Sequence, residues 1–137
     1  MPVVDASVVV DWVCPDADPS GPARRLLAEY AQSGTQVHAP RLLFEEVANA
    51  LLTGVRRGRW DGTSADLAFG LLRIVPVVTA DDPRDLDRAW ELSRRYDEHP
   101  GYDLLYVALA ERLGEPLVTA DAALRRKLVG LDFVIAL

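Results

Sequence analysis

The opening of the chain, residues 2–12, is the stretch that most constrains the fold. It reads as a short apolar strand that ends on the carboxylate of Asp5 and passes directly into a helix or turn. In an open α/β sheet, ligands bind outside the carboxyl ends of the strands. Asp5 therefore stands where such a site would open. An aspartate before a helix is also a common N-cap, because its oxygen accepts a free backbone N–H, and for Asp5 alone that interpretation is favoured.

The alternation of strand and helix continues along the chain. Apolar spacing and breaker residues predict helices over 23–33, 40–57, 63–72, 102–110 and 122–129, with a further helix after Pro83, and strands over 36–39, 74–78, 117–119 and 132–136. Strands that alternate with helices predict a parallel sheet covered on both faces. We therefore predict an α/β fold, a central, mostly parallel sheet of about five strands in one domain over residues 1–137.

Charge and cysteine content exclude several classes of protein. The formal net charge of −6 argues against a domain that holds nucleic acid by bulk electrostatics, but not against an enzyme that holds metal cations. Cys14 is the single cysteine, which excludes an internal disulfide and a cysteine zinc cluster. The sequence has no apolar run that predicts a membrane span and no pattern of a signal peptide, so we expect a cytoplasmic protein.

An aromatic stripe marks the helix that follows Pro83. Leu86, Ala89, Trp90, Ser93 and Tyr96 recur at helical spacing. Such a stripe is typical of a helix face that packs on a core, and we predict burial for it rather than a cofactor site.

Four acids stand out by their positions. Asp5 and Asp121 follow predicted strands, Glu46 lies on an apolar helix, and Asp103 lies in the first turn of a helix that is apolar nearly all round. Each has a plain structural interpretation as a cap, a partner of the helix dipole or a solvated side chain. Together, several half-buried carboxylates would repel one another and would need a compensating cation. Hard divalent ions such as Mg²⁺ or Mn²⁺ prefer such oxygen ligands.

The two histidines give no zinc-ligand spacing. His38 is predicted to be a strand residue with a hydrogen-bonded ring, and His99 a loop residue.

Residues 4–7, 46–51, 102–110 and 117–121 closely resemble, in this order, the motifs of PIN-domain ribonucleases. Within that family they are most similar to the VapC toxins of bacterial and archaeal toxin–antitoxin pairs. The resemblance runs over the whole chain and is weakest over residues 60–82, so it implies no functional role for that segment.

The resemblance implies an acidic site and its supporting residues. Where Glu45 and Glu46 compete, the acid-Val-x-Asn pattern of the family selects Glu46. The implied ligands of one or two Mg²⁺ or Mn²⁺ ions are four acids, and three polar residues support them: Asp5, Glu46, Asp103 and Asp121, with Ser7, Asn49 and Thr119.

The resemblance also implies a function and partners. We expect a metal-dependent endoribonuclease whose acids position the ions, while water attacks the scissile phosphorus in line. A VapB-type antitoxin would hold it inactive, and a homodimer is expected. Trp12, Leu43, Leu51 and Trp60 are candidates for apolar antitoxin contacts, although core burial is the favoured interpretation for Leu43 and Leu51.

Other interpretations stay open at this point. The basic group Arg56, Arg57 and Arg59 either contacts RNA phosphates or stabilises a helix end. An aspartyl-phosphate phosphatase is disfavoured, because Ser7 stands where a second aspartate is expected and Lys127 lies far along a late helix. A non-catalytic PIN-like RNA-binding module is the main alternative.

Overall fold

Five short strands form one parallel sheet at the centre of the computed structural model, which describes all residues 1–137. The strands are β1 (Val3–Val4), β2 (Val37–Ala39), β3 (Val77–Thr79), β4 (Leu117–Thr119) and β5 (Val134–Ala136). Their order in the sheet is β3-β2-β1-β4-β5, and every neighbouring pair is parallel. The fold class, a parallel α/β sheet with the PIN-like order of elements, is therefore confirmed.

Seven helices connect and cover the strands. They are α1 (Ala6–Val13), α2 (Pro22–Ser33), α3 (Leu42–Arg56), α4 (Gly62–Leu71), α5 (Pro83–Arg95), α6 (Gly101–Leu113) and α7 (Ala122–Lys127). None of them is long and apolar enough to span a bilayer.

The sheet and its helices share one continuous core. Both residues of β1 are fully buried, as expected for the central strand of a parallel sheet with both faces covered. Helix α6 is buried along most of its circumference, from Leu104 to Ala110, with Leu105 half-buried. Gly114 ends α6 in the left-handed conformation, φ 66°, which a residue without Cβ adopts at little cost, and the chain then enters β4.

The order of the strands creates a crevice at one edge of the sheet. From β1 the chain builds outward through β2 and β3, and it then crosses to the other side of β1 to form β4 and β5. Strand order reverses between β1 and β4, and at such a switch point the connections leave the carboxyl ends of the strands in opposite directions. The residues that follow β1 and β4 therefore flank this crevice.

The buried face of α5 differs from the predicted one. Leu86 and Trp90 are 65% and 68% exposed, whereas Asp85 is only 7% exposed. The reason is an ion pair with α6, in which Arg112 Nε donates to Asp85 Oδ1 at 2.8 Å. Asp85, paired in this way, is buried on the same helix as Ala89 and Ser93, whose predicted burial is confirmed, whereas the predicted burial of Leu86 and Trp90 was wrong.

Most of the predicted antitoxin contacts lie in the core. Trp12, Leu43 and Leu51 are at most 2% exposed, so none of them is on a surface, and Trp60 is half-buried. The indole N–H of Trp12 donates to the carbonyl of Ala23 at 2.8 Å. The burial favoured for Leu43 and Leu51 is therefore confirmed, and the expectation of an exposed contact was wrong for Trp12.

Candidate active site

Asp5 lies directly after β1 and is the N-cap of α1. Its Oδ1 accepts the backbone N–H of Ser7 at 3.1 Å and also the hydroxyl of Ser7. The side chain is only 6% exposed. The capping interpretation of Asp5 is therefore correct, yet the carboxylate also stands at the crevice beside β4, because the backbone N–H of Asp5 donates to the carbonyl of Val118 at 3.2 Å.

Ser7 and Thr119 join the two sides of the crevice. Their hydroxyl oxygens are 3.3 Å apart, and the backbone N–H of Ala120 donates to Ser7 Oγ at 2.9 Å. Thr119 is fully buried, and its Oγ1 accepts the backbone N–H of Asp121 at 3.0 Å. These bonds fix the segment after β4 against the segment after β1.

Asp121 is the N-cap of α7, and its Oδ1 accepts the backbone N–H of Leu124 at 3.0 Å. Its side chain is exposed. The side-chain bond of Asp121 is therefore that of an N-cap. Its backbone N–H donates to Thr119 Oγ1, which connects it to the other side of the crevice.

Glu46 lies on α3 and faces α6. The buried hydroxyl of Tyr106, on α6, donates to Glu46 Oε1 at 2.6 Å. A hydrogen bond to a carboxylate is among the stronger ones available to a neutral donor. Tyr106 therefore fixes the direction in which the half-buried Glu46 points. Asn49, which lies one turn further along α3, is exposed.

Asp103 lies in the first turn of α6, and its Oδ2 is 2.6 Å from Nε2 of His99. His99 precedes α6 and is half-buried, so its position outside a regular element agrees with the sequence-based prediction. His38, in contrast, has a buried Nδ1 without a hydrogen-bond partner, and the predicted bonding of its ring was wrong at this atom.

The electrostatics of the site bring three of the four acids into one group. Burial raises the pKa of Asp5, hydrogen bonds from Ser7 and Thr119 oppose that rise, and the negative charge of Asp103 adds to it. Burial also raises the pKa of Glu46, the Tyr106 hydroxyl opposes it, and the charges of Asp103 and Asp5 add to the rise. Asp5, Glu46 and Asp103 therefore sense one another's charge across the crevice.

The donor chemistry of this group suits a hard divalent cation. No set of three or more histidine, cysteine, aspartate or glutamate side chains is arranged to hold a metal ion as the structure stands. Mg²⁺, however, keeps several waters and is commonly bound through only one or two carboxylates. Oxygen-only donors whose charges repel one another fit such an ion, because the cation removes the repulsion.

The predicted basic group lies away from the acids. Arg56 is ten positions beyond Glu46 on α3, about 15 Å along the helix axis. Arg59 is engaged by Asp16, with Nε to Oδ2 at 2.7 Å. The crevice has other cations beside it, because Arg125, Arg126 and Lys127 end α7, the helix that Asp121 caps, and none of the three forms an ion pair.

Sequence reasoning did not assign a role in the site to Tyr106 or to His99. The sequence signal for both is their spacing from Asp103, because His99 precedes Asp103 by four residues and Tyr106 follows it by three. Residues three and four apart on a helix share a face, which is the signal that could have identified Tyr106.

Comparison with known proteins agrees with this geometry. A family model described as the PIN domain matches residues 3–128. Ribonuclease VapC3 of Mycobacterium tuberculosis is 39% identical over 124 residues, which cover 90% of this chain and 85% of that protein. Ribonuclease VapC1 of the same organism is 34% identical over 126 residues, covering 89% and 86%.

A solved structure has a similar fold. The crystal structure of PAE2754 from Pyrobaculum aerophilum superposes with a TM-score of 0.63 at 26% identity, and the match covers 95% of this chain and 90% of that one. The residues that the PIN-domain model matches, 3–128, include all four acids.

Proposed function

Because this chain belongs to the PIN-domain family, as a ribonuclease of the VapC type, we propose that it hydrolyses RNA phosphodiester bonds with Mg²⁺ or Mn²⁺ in the crevice between β1 and β4. It would act as one domain over residues 1–137, in the cytoplasm, as an endonuclease. The observation that carries the proposal is the mutual electrostatic influence of Asp5, Glu46 and Asp103, three acids brought from distant parts of the sequence.

The energetic argument starts from the charges. Desolvating carboxylates and placing them near one another are both unfavourable, and they displace the pKa of Asp5 and Glu46 upward. A fold keeps such an arrangement when something else compensates it, and active sites are where these displaced values concentrate. A divalent cation is the simplest compensation for a group of oxygen ligands.

The roles of the residues follow from their contacts. Asp5, Glu46 and Asp103 would hold the ion, and Asp121 would join them from the cap of α7. A bound divalent ion supplies a Lewis acid that eases deprotonation of water and offsets charge on the phosphate. One carboxylate accepts the proton of the attacking water, and the 3′-oxygen leaves from the opposite side of the phosphorus.

Three further polar residues would support the acids. Ser7 and Thr119 hold the two sides of the crevice in register through their hydroxyl groups. Asn49, exposed on α3 one turn beyond Glu46, would contact the RNA or a bound water.

Positive charge for the RNA backbone would come from the end of α7. Arg125 lies four positions after Asp121, about 6 Å along the helix, so this group can reach a phosphate next to the one being cleaved. The group Arg56, Arg57 and Arg59 stays the competing proposal, and its distance along α3 and the Asp16 contact disfavour it.

We also propose a VapB-type antitoxin as partner, and a homodimer. The names of the relatives support the toxin assignment. Exposed apolar side chains on and beside α4, namely Leu67, Phe69, Leu71 and Ile74, offer surface for such contacts in place of the buried residues chosen from the sequence.

The test is cleavage of a panel of structured RNAs with Mg²⁺ or Mn²⁺, with EDTA as the metal-free condition. We expect Asp5→Asn to lose at least about 100-fold in rate while it keeps the α1 cap, because asparagine caps as well as aspartate. Asp11→Asn, an exposed acid on the same helix, is the matched control and should cleave as the wild type does.

The outcomes separate the alternatives. Equal cleavage by the wild type and Asp5→Asn would remove the proposed metal site. RNA binding by the wild type without cleavage under either metal would support a non-catalytic binding module instead.

A further inference from the structure

The α5 face that carries Leu86 and Trp90 borders a pocket. The pocket has a volume of about 310 Å³, and its walls include Leu86, Trp90, Ser93, Arg94 and His99. Leu86 and Trp90 are 65% and 68% exposed, so two large apolar side chains stand at its opening. A pocket of this size accepts a small flat ligand.

The indole of Trp90 differs from the other two in the chain. The N–H of Trp12 donates to Ala23 and that of Trp60 to Leu51, at 2.8 and 2.9 Å, and these two indoles are buried and half-buried. The Trp90 ring is exposed and has no such bond, so its face is free to stack on a planar group.

Two polar atoms in the walls lack partners. Ser93 Oγ and His99 Nδ1 are buried and form no hydrogen bond. The residue Ser93 as a whole is only 9% exposed. Such atoms are uncommon in folded proteins, because a buried polar atom without a partner is unfavourable until it is paired. Nε2 of His99 is 2.6 Å from Asp103 Oδ2, so Nδ1 is the ring nitrogen left for a further partner.

The pocket and the acid group share one residue, His99. His99 forms part of its wall with one side of the ring and contacts Asp103, at 2.6 Å, with the other. One imidazole ring therefore separates the pocket from the crevice. Arg94, exposed at the rim, pairs with Glu98, which also borders the pocket, with Nε to Oε1 at 3.5 Å, so the rim carries both charges.

We propose that this cavity, the Trp90 pocket, binds a nucleobase of the RNA strand beside the phosphate that is cleaved. The inference rests on the proposed function and adds a base-recognition subsite to it. A base stacks on the Trp90 indole, and polar atoms on the edge of the base pair with His99 Nδ1 and Ser93 Oγ. An apolar protein side chain would leave both wall atoms unpaired, which favours a base as the occupant.

The first test uses the fluorescence of Trp90. The Asp5→Asn protein, which binds without cleaving, is titrated with short homopolymers of each of the four ribonucleotides. We expect saturable quenching by at least one of them, because the other two indoles are shielded. A Trp90→Phe variant should lose the signal and keep the affinity, since its ring still stacks. Absence of quenching with every homopolymer would overturn the proposal.

The second test measures affinity and base preference. In the Asp5→Asn background, Trp90→Ala should weaken binding of the preferred homopolymer about tenfold or more. Ser93→Ala should reduce the difference in affinity between the preferred homopolymer and the others. Leu52→Ala, a change at an exposed apolar residue on α3 to which no role is assigned, is the control and should change neither.

Cleavage distinguishes failure of the pocket from failure of the function. If the wild type cleaves RNA and Trp90→Ala cleaves with the same KM and the same product pattern, the pocket is excluded and the ribonuclease stands. Quenching by RNA together with the absence of cleavage would instead overturn the catalytic assignment and retain the pocket.

Discussion

The hydroxyl oxygens of Ser7 and Thr119 lie 3.3 Å apart, although 112 positions separate the two residues in the sequence. Ser7 also bonds the carboxylate of Asp5 and accepts the backbone N–H of Ala120. One hydroxyl therefore connects the first acid of the site to the strand that leads to the last. This arrangement makes Ser7 a positioning residue whose removal can be measured.

Ser7→Ala should loosen the crevice. It leaves the backbone N–H of Ala120 without its acceptor, and we expect a loss of about 1–2 kcal/mol in the free energy of unfolding by urea titration. The rate of RNA cleavage should fall by more than the decrease in the fraction of folded protein, because Asp5 also loses its hydrogen bond from the Ser7 hydroxyl. Ser33→Ala, whose hydroxyl is exposed at the end of α2, should change stability by less than about 0.5 kcal/mol. Equal effects of the two variants would contradict the role of Ser7.

Tyr106→Phe should weaken metal binding. The change removes only the hydroxyl that donates to Glu46, and loss of such an outer partner lowers metal affinity by about 10–100-fold. The measurement is cleavage rate against Mn²⁺ concentration, in which the half-saturation point should move and the rate at saturating metal should recover in part. Tyr30→Phe is the control, because its ring packs edge-on against Trp12 away from the site. An unchanged Mn²⁺ dependence in Tyr106→Phe would refute the assignment.

In the metal-free protein, the titration of Asp5 and Glu46 should lower the free energy of unfolding as the pH rises above about 4. Burial raises the pKa of both groups, so the folded state binds their protons more tightly than the unfolded chain does. The stability that these two protonated groups contribute is therefore fully present below their pKa values in the unfolded chain. It is lost as the pH rises through their pKa values in the folded protein. In EDTA at pH 7, Asp5→Asn and Glu46→Gln should each raise the free energy of unfolding by on the order of 1 kcal/mol.

Thermal unfolding between pH 4 and 8 checks this expectation. The difference between wild type and variant should grow with pH, and Mg²⁺ should stabilise the wild type more than either variant, because it binds only the native state. Asp66→Asn, an exposed acid on α4, is the control. A variant that is less stable than the wild type at every pH would show that the acids are not in mutual repulsion.

The salt dependence of RNA binding should identify the cationic surface. Each lost phosphate contact reduces the slope of log affinity against log salt by about 0.7 for a single strand. We expect this reduction for alanine at Arg125 or Arg126, measured in the Asp5→Asn protein, and none for Arg57→Ala. The reverse result would restore the group Arg56, Arg57 and Arg59 as the RNA contact.

The elements of the fold were predictable because their signals are local. Apolar runs, Pro22, Pro40, Pro83 and Gly114 gave the strands and helix ends to within about two to four residues. The opening strand and its final aspartate indicated where a site would lie, since the carboxyl edge of a parallel sheet is fixed by topology. The roles of the acids as caps were also readable, as the bonds of Asp5 and Asp121 show.

The orientation of α5 was not predictable, because it depends on a partner that is distant in sequence. Asp85 is buried only because Arg112 of α6 lies against it, and hydrophobic spacing alone assigns a charged residue to the outside. The hydrogen bond from Tyr106 to Glu46 was hidden for the same reason, since it joins two helices sixty positions apart. Both features are pairings of side chains, which a single periodicity does not encode.

The pairing of β1 with β4 has a consequence for the order in which the protein is made. During synthesis β1 leaves the ribosome before its neighbour β4, because β2 and β3 lie between them in the sequence. Until Thr119 has emerged, β1 lacks one of its two neighbouring strands, and the crevice has only one of its two sides. A nascent chain therefore cannot assemble the proposed acid site until β4 and Asp121 have been made.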